Sequence, residues 1–251
     1  MKTLKKSVPA LMLALFVTTA LSAQMMFAIH EDRVYPSAVT KYEKAAANLV
    51  ANLKKYNVPN ADYLALMTSD FQYIYVAPIP NMAALDDNPF AMLDEKMGQE
   101  EVAKMWSGFS DCYDEHGDYI LTLDEDLSYQ PSGINQNPEG EYYRTLDYWY
   151  VSEDNEEALR AVASKIKQLH ADTGSKFYYR VYRSGFGAMG PFYMVASAAK
   201  DAQDWHNRLA AVEKAGGEKR QALLQEALSL TRKYERRTGW IRPDLSYMSG
   251  N

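Results

Sequence analysis

The tetrapeptide Asp126-Leu127-Ser128-Tyr129 returns 118 residues later as Asp244-Leu245-Ser246-Tyr247. The same offset places Met105 on Leu223, Trp106 on Leu224, Phe109 on Ala227 and Cys112 on Leu230, the apolar face of a helix. It also pairs Gly98 with Gly216 and Tyr75 with Tyr193. A repeat of this length decides architecture before any local reading does, because each copy must carry one complete supersecondary unit. The chain therefore reads as two diverged copies, 24–129 and 142–251. They are joined by 130–141, a stretch rich in Pro, Gly and Asn and poor in apolar residues.

Hydrophobic periodicity gives both copies the same element order. Phe27 to Val34 is a strand, and Val39, Tyr42, Ala46, Leu49, Val50 and Leu53 mark one helical face after Pro36. Tyr63–Met67 and Phe71–Ala77 flank a Thr-Ser-Asp turn as a hairpin. Val102 to Cys112 follows at helical spacing, and Tyr119–Leu123 closes the copy as a strand. The second copy repeats this with a strand at Tyr143–Val151 and a helix introduced by Asp154 and Glu157. A hairpin at Phe177–Tyr182 and Phe192–Val195, helices around Trp205 and Leu223–Tyr234, and a strand near Trp240 complete it. Each copy is β-α-β-β-α-β, the ferredoxin-like arrangement of an α+β protein.

The N-terminus carries Lys2, Lys5 and Lys6 before an apolar run from Val8 to Ala20, too short to span a bilayer comfortably, with Ser22 and Ala23 ahead of Gln24. Residues 1–23 read as a signal peptide and the product as periplasmic or secreted. Removing them takes the formal charge from −6 to −9. Such a charge disfavours nucleic acid and anionic membrane surfaces. The basic stretch Arg232-Lys233-Tyr234-Glu235-Arg236-Arg237 reads as a solvated last helical turn. Cys112, the single cysteine, cannot form an intramolecular disulfide and reads as a buried thiol, so stability must come from a packed core.

The opening His30-Glu31-Asp32-Arg33-Val34-Tyr35-Pro36, leading into Lys41-Tyr42-Glu43, resembles the first strand and helix start of the dimeric α+β barrel superfamily, which includes NIPSNAP-type proteins and antibiotic-biosynthesis monooxygenases. The resemblance covers nearly the whole chain after residue 23 and implies a pseudo-dimer: two units packed sheet to sheet, present as a monomer or as a homodimer. It also implies activities ranging from cofactor-independent oxygenation to haem degradation. No family catalytic motif maps onto particular residues, and no cofactor follows.

Strand alternation splits each hairpin into two faces. With Leu64, Leu66, Ile74 and Val76 assigned beneath the helices, Tyr63, Met67, Tyr73 and Tyr75 fall on the barrel side. In the second copy Phe177, Tyr179 and Val181 go beneath the helices, leaving Tyr178, Arg180, Tyr182 and Tyr193 opposite. His30 joins the barrel side if Phe27 and Ile29 face helices, and its counterpart is Leu146 or Asp147. The candidate cavity is thus lined by His30, Tyr63, Tyr73, Tyr75, Tyr178, Arg180, Tyr182 and Tyr193. It suits a small aromatic or hydrophobic ligand, with Arg180 able to pair an anion. The competing expectation is that these tyrosines fill an inter-sheet core.

Gly185-Phe186-Gly187-Ala188-Met189-Gly190 spells a dinucleotide fingerprint, but a strand follows where a helix N-terminus is required, so it reads as a hairpin turn. Asp111, Asp114, Glu115, His116 and Asp118 fit no calcium-loop spacing and read as a solvated helix end, and no metal site is assigned. His170 and His206 lack partners at ligand spacing. Three functions remain in play: binding of a small aromatic molecule, a monooxygenase-like or haem-related enzyme, and a partner-binding module that uses the outer helices.

Overall fold

The computed structural model describes residues 24–249; the signal-peptide reading of residues 1–23 lies outside them. The chain is a mixed α+β fold around a closed antiparallel barrel of eight strands, in the order β1-β3-β2-β8-β5-β7-β6-β4. The first half supplies β1 (Met26–Val34), β2 (Leu64–Thr68), β3 (Gln72–Ile79) and β4 (Tyr113–Tyr129). The second supplies β5 (Tyr143–Val151), β6 (Tyr179–Ser184), β7 (Phe192–Ala199) and β8 (Thr231–Ile241). Helices α1 (Val39–Tyr56), α2 (Ala91–Met97) and α3 (Gln99–Ser107) cover the first half; α4 (Glu156–Asp172) and α5 (Ala202–Ser229) cover the second. No described helix is long and apolar enough to cross a membrane.

The halves are not packed sheet on sheet. They join edge to edge, β2 pairing with β8 and β4 with β6, so that no strand edge is left open. The repeated tetrapeptide is the clasp at both seams. Ser128 Oγ donates to Asp124 O and accepts from Val181 N across the seam at 2.9 Å. Ser246 Oγ donates to Arg242 O and accepts from Ala65 N at 2.9 Å. Leu127 and Leu245 are each 1 % exposed, and the phenols of Tyr129 and Tyr247 donate to Ser175 O and Val58 O in the opposite half. Each half therefore closes the other with the same Leu-Ser-Tyr side chains.

Eight strands enclose only enough room for side chains to fill. The interior holds Phe27, Ile29, Leu66, Ile74, Leu121, Leu123, Leu146, Tyr148, Tyr182 and Met194 among others, leaving about 70 Å³ of free space. The expectation of a ligand cavity inside the barrel is corrected by this packing. Arg180 and the neighbouring Arg144, each 3 % exposed, do not wait for an anion. They donate to linker groups, Arg180 to Asn135 O at 2.6 Å and Arg144 to Asn137 Oδ1 at 2.9 Å, and Ile134 of the linker packs on the barrel core.

Helix α1 forms where its apolar residues recur every three or four positions, burying Tyr42, Ala46, Leu49, Val50 and Leu53, and it stops at Asn57 in the left-handed region with φ 47°. The basic stretch 232–237 is part of strand β8 rather than a helical turn, and its side chains alternate. Tyr234 and Arg236 reach Asp147, while Arg237 turns inward to Glu31 at 3.3 Å and over the Tyr148 ring at 4.6 Å. The helix ends at Ser229, because β8 must begin there to reach both β5 and β2.

Candidate functional site

Two strands of the first half build the site. In the β1–β4 ladder His30 stands opposite Asp118, and Asp32 opposite His116. Positions two apart on one strand share a face, as do directly opposed positions, so all four side chains project together from the outer face of the sheet. On the other side of β1, β3 sets Tyr75 opposite His30 and Tyr73 opposite Asp32. Helix α1 and the 85–109 region roof this face and leave a cavity of about 710 Å³. Leu49, Tyr63, Tyr75, Phe90, Trp106 and Phe109 give it an apolar body, with His30, Asp32 and His116 at one end.

The polar end is organised through Asp32, which is 3 % exposed. Tyr42, fully buried, donates to Asp32 Oδ2 at 2.5 Å. Since that phenol has spent its proton, the 2.9 Å contact between the Tyr42 and Tyr75 hydroxyls is donated by Tyr75. Neither O–H remains free for a ligand. Asp32 Oδ1 is buried and makes no hydrogen bond; His30 Nε2 lies 3.1 Å away without an aligned N–H. The other ring nitrogen, His30 Nδ1, is 2.8 Å from Asp118 Oδ1. The close carboxylate of Asp32 foremost, and then Asp118, hold the imidazole pKa up at about 9 against the burial that lowers it. Burial drives the phenols of Tyr42, Tyr63 and Tyr75 well above their usual range, so they stay neutral.

The sequence-predicted lining residues separate. His30, Tyr63 and Tyr75 do line one cavity, but on the helix side of the sheet; Tyr73 sits beneath α1 with its hydroxyl on Glu43. Tyr182 and Arg180 belong to the barrel interior, Tyr193 lies beneath the second-half helices, and Tyr178 is 37 % exposed. The inversion in the first half has a physical cause. Beneath the helices the Tyr73 hydroxyl reaches Glu43 and the Tyr75 hydroxyl reaches Tyr42, partners that the aliphatic set does not need. Asp32, Tyr42, His116 and Asp118 were missed. The 111–118 cluster is not a helix end: α3 stops at Ser107, Asp111 turns the chain at φ 60°, and β4 starts at Tyr113. The legible signal was the matching i, i+2 pattern of 30/32 and 116/118, which only strand pairing brings together.

The turn 185–191 joins β6 to β7 as the sequence implies, and it reaches over this site. Gly185 N and Ile120 O pair at 2.8 Å, Ile120 N and Phe186 O at 2.8 Å, and Phe186 lines the cavity. Gly187 has φ +85°, and a Cβ there would meet Asp118 O at 2.3 Å.

A second cavity of about 400 Å³ lies beneath α4 and α5, walled by Trp149, Phe177, Trp205 and Tyr234. Its one histidine, His170, is 5 % exposed, contacts Ser175 Oγ through Nδ1 at 3.1 Å, and is enclosed by the rings of Tyr129, Phe177 and Tyr179. Burial, helped by Arg220, lowers its pKa to about 4. In this second cavity His170 is enclosed by a packed aromatic ring and offers no exposed axial ligand to a haem.

No family model and no curated protein sequence matches the chain. Solved structures do match in shape. An anthrone oxidase-like protein superposes with a TM-score of 0.58 at 12 % identity, over 92 % of this chain and 95 % of its own. A monooxygenase candidate from Lactobacillus acidophilus NCFM gives 0.52 at 8 % identity, over 87 % and 94 %. A mutant chlorite dismutase from Candidatus Nitrospira defluvii gives 0.51 at 8 % identity, over 88 % and 92 %. Such identities speak to fold alone, and together with the eight-stranded closure they show that this chain has the dimeric α+β barrel fold, built from two halves of one polypeptide.

Proposed function

We propose that the protein is an exported, monooxygenase-like enzyme acting on a small aromatic molecule held in the first-half cavity. The observation that carries this reading is the cavity itself: about 710 Å³ walled by aromatic and aliphatic side chains, with unspent polar functions gathered at one end. Apolar walls exclude water and hold an aromatic ring, and the polar end selects the part of that ring which bears oxygen. His30, Asp32 and His116 at that end offer ring nitrogens and a carboxylate oxygen to a substrate hydroxyl or enolate. The fold shared with an anthrone oxidase-like protein and a monooxygenase candidate supports this class of chemistry. In this reading the small aromatic molecule sits outside the barrel, beneath the first-half helices.

Anthrone, a tricyclic ketone that enolises, is the first probe. Titrated into the mature chain, it is expected to quench Trp106 saturably and to be consumed with uptake of dioxygen. Leu49→Trp, which fills the cavity, should abolish both effects. Unchanged quenching in Leu49→Trp, or none in the parent across a panel of tricyclic phenols and ketones, would remove the reading.

A further inference from the structure

The polar end of the first cavity has an unused coordination geometry. His30, Asp32 and His116 each offer one ligand atom, and these atoms all lie within 4.8 Å of one another. His30 Nε2 and Asp32 Oδ1 are 3.1 Å apart but share no aligned hydrogen bond. That separation is the edge expected between neighbouring ligands bound at about 2.0–2.2 Å to one ion.

We propose that His30, Asp32 and His116 bind one divalent first-row transition-metal ion at the mouth of the cavity, with Asp118 as the positioning residue for His30. Four observations carry it. The ladder places His30 and Asp32 on β1 beside Asp118 and His116 on β4, so the ligands come from adjacent rigid strands. Asp32 Oδ1 is buried and accepts no aligned hydrogen bond, whereas Oδ2 is committed to Tyr42, leaving one oxygen to coordinate. Asp118 takes the Nδ1 side of His30 at 2.8 Å, which leaves Nε2 with its lone pair toward the ion, the carboxylate–histidine–metal pattern of oriented ligands. Finally, two imidazoles and one carboxylate form a donor set that suits zinc, iron or copper rather than calcium or magnesium. With only three protein ligands, the remaining positions face the aromatic cavity, where a water or a substrate oxygen would bind.

The matching positions of the second half make no such site. Asp147 there is already bonded to Arg236 at 2.6 Å and to the Tyr234 hydroxyl at 2.5 Å.

The metal site stands on side-chain geometry, but its service to the reaction rests on the function proposed above, and the measurements separate the two. Chelator-treated mature protein is titrated with Zn²⁺ by calorimetry and with Co²⁺ by visible absorption. One ion per chain is expected, and His116→Gln and Asp32→Asn should each weaken binding at least tenfold. His116 is exposed and so should be replaceable without loss of fold, which far-UV circular dichroism checks. Asp118→Asn should weaken binding by about tenfold, while His206→Gln on α5 should leave it unchanged. Absence of saturable binding below millimolar metal, or undiminished binding in folded His116→Gln, overturns the site. One bound ion together with failure of every aromatic probe would retain the site and remove the substrate reading.

Discussion

On β1 and β4, the four positions facing the first-half helices hold His30, Asp32, Asp118 and His116. On β5 and β8, the four matching positions hold Asp147, Trp149, Arg236 and Tyr234. Each ladder shifts register one residue further along, after Arg33 and after Tyr150, which fixes the correspondence. The backbone device is the same and the chemistry is opposite. In the second half the charges neutralise each other: Arg236 pairs with Asp147 and lies over the Trp205 ring at 4.8 Å, and Trp149 meets Tyr234 edge-on at 4.8 Å. In the first half an aspartate oxygen accepts no aligned hydrogen bond beside two imidazoles, and the cavity in front is nearly twice as large. Two halves that share one backbone plan can carry different side-chain grids, since each grid is free to differ while the ladder holds it in place.

The contrast is broken most severely in the second half. Trp149→Ala removes a half-buried indole from the packed face, and a loss of about 3 kcal/mol is expected in denaturant unfolding. His30→Ala, at the part-exposed rim of the first cavity, should cost less, about 1–2 kcal/mol, most of it from leaving buried Asp32 without its neighbour. Equal losses would show that both grids are structural.

Next in size is a pH effect on the second half. His170 is packed among Tyr129, Phe177 and Tyr179, faces Ser175, and feels the Arg220 charge. Its folded pKa, about 4, lies below the ordinary 6.5, so the unfolded chain binds the extra proton between these values. Its contribution is therefore complete above pH 6.5 and is lost as pH falls through 4, amounting to about 3 kcal/mol. Unfolding curves of the parent minus those of His170→Gln, from pH 7 to 4, should show this slope; parallel curves would mean that the ring is solvated.

The smallest effect sharpens the comparison at the contact between the halves. Gly187→Ala puts a Cβ against the Asp118 carbonyl at a left-handed φ. It should cost about 2 kcal/mol and weaken metal binding with it, whereas Gly190→Ala, where a Cβ meets nothing closer than Arg232 Nη2 at 3.7 Å, should leave binding intact.

Much of the fold was legible because periodicity and repetition are properties of the chain itself. The order of strands and helices, the turn at 185–191 and the linker follow from spacing and turn chemistry. Strand Tyr143–Val151 falls on its predicted bounds. The face of each strand was not legible. Alternation separates Leu64, Leu66, Ile74 and Val76 from Tyr63, Met67, Tyr73 and Tyr75, but it does not say which set goes inward. Closure of the barrel decides that: the aliphatic set of the first half fills the interior, and Tyr73 and Tyr75 find hydroxyl partners beneath the helices. The same limit hid the site: His116 and Asp118 carry no local mark until β4 is laid against β1.

The sequence by itself determined a duplicated β-α-β-β-α-β order and the residue types available for chemistry, since both are written in neighbours along the chain. Only the tertiary structure decided that the halves close edge to edge, that the cavity lies beneath the helices, and that His30, Asp32 and His116 meet. Those outcomes depend on pairings between strands far apart in the chain, and strand registry carries no signature in either strand alone.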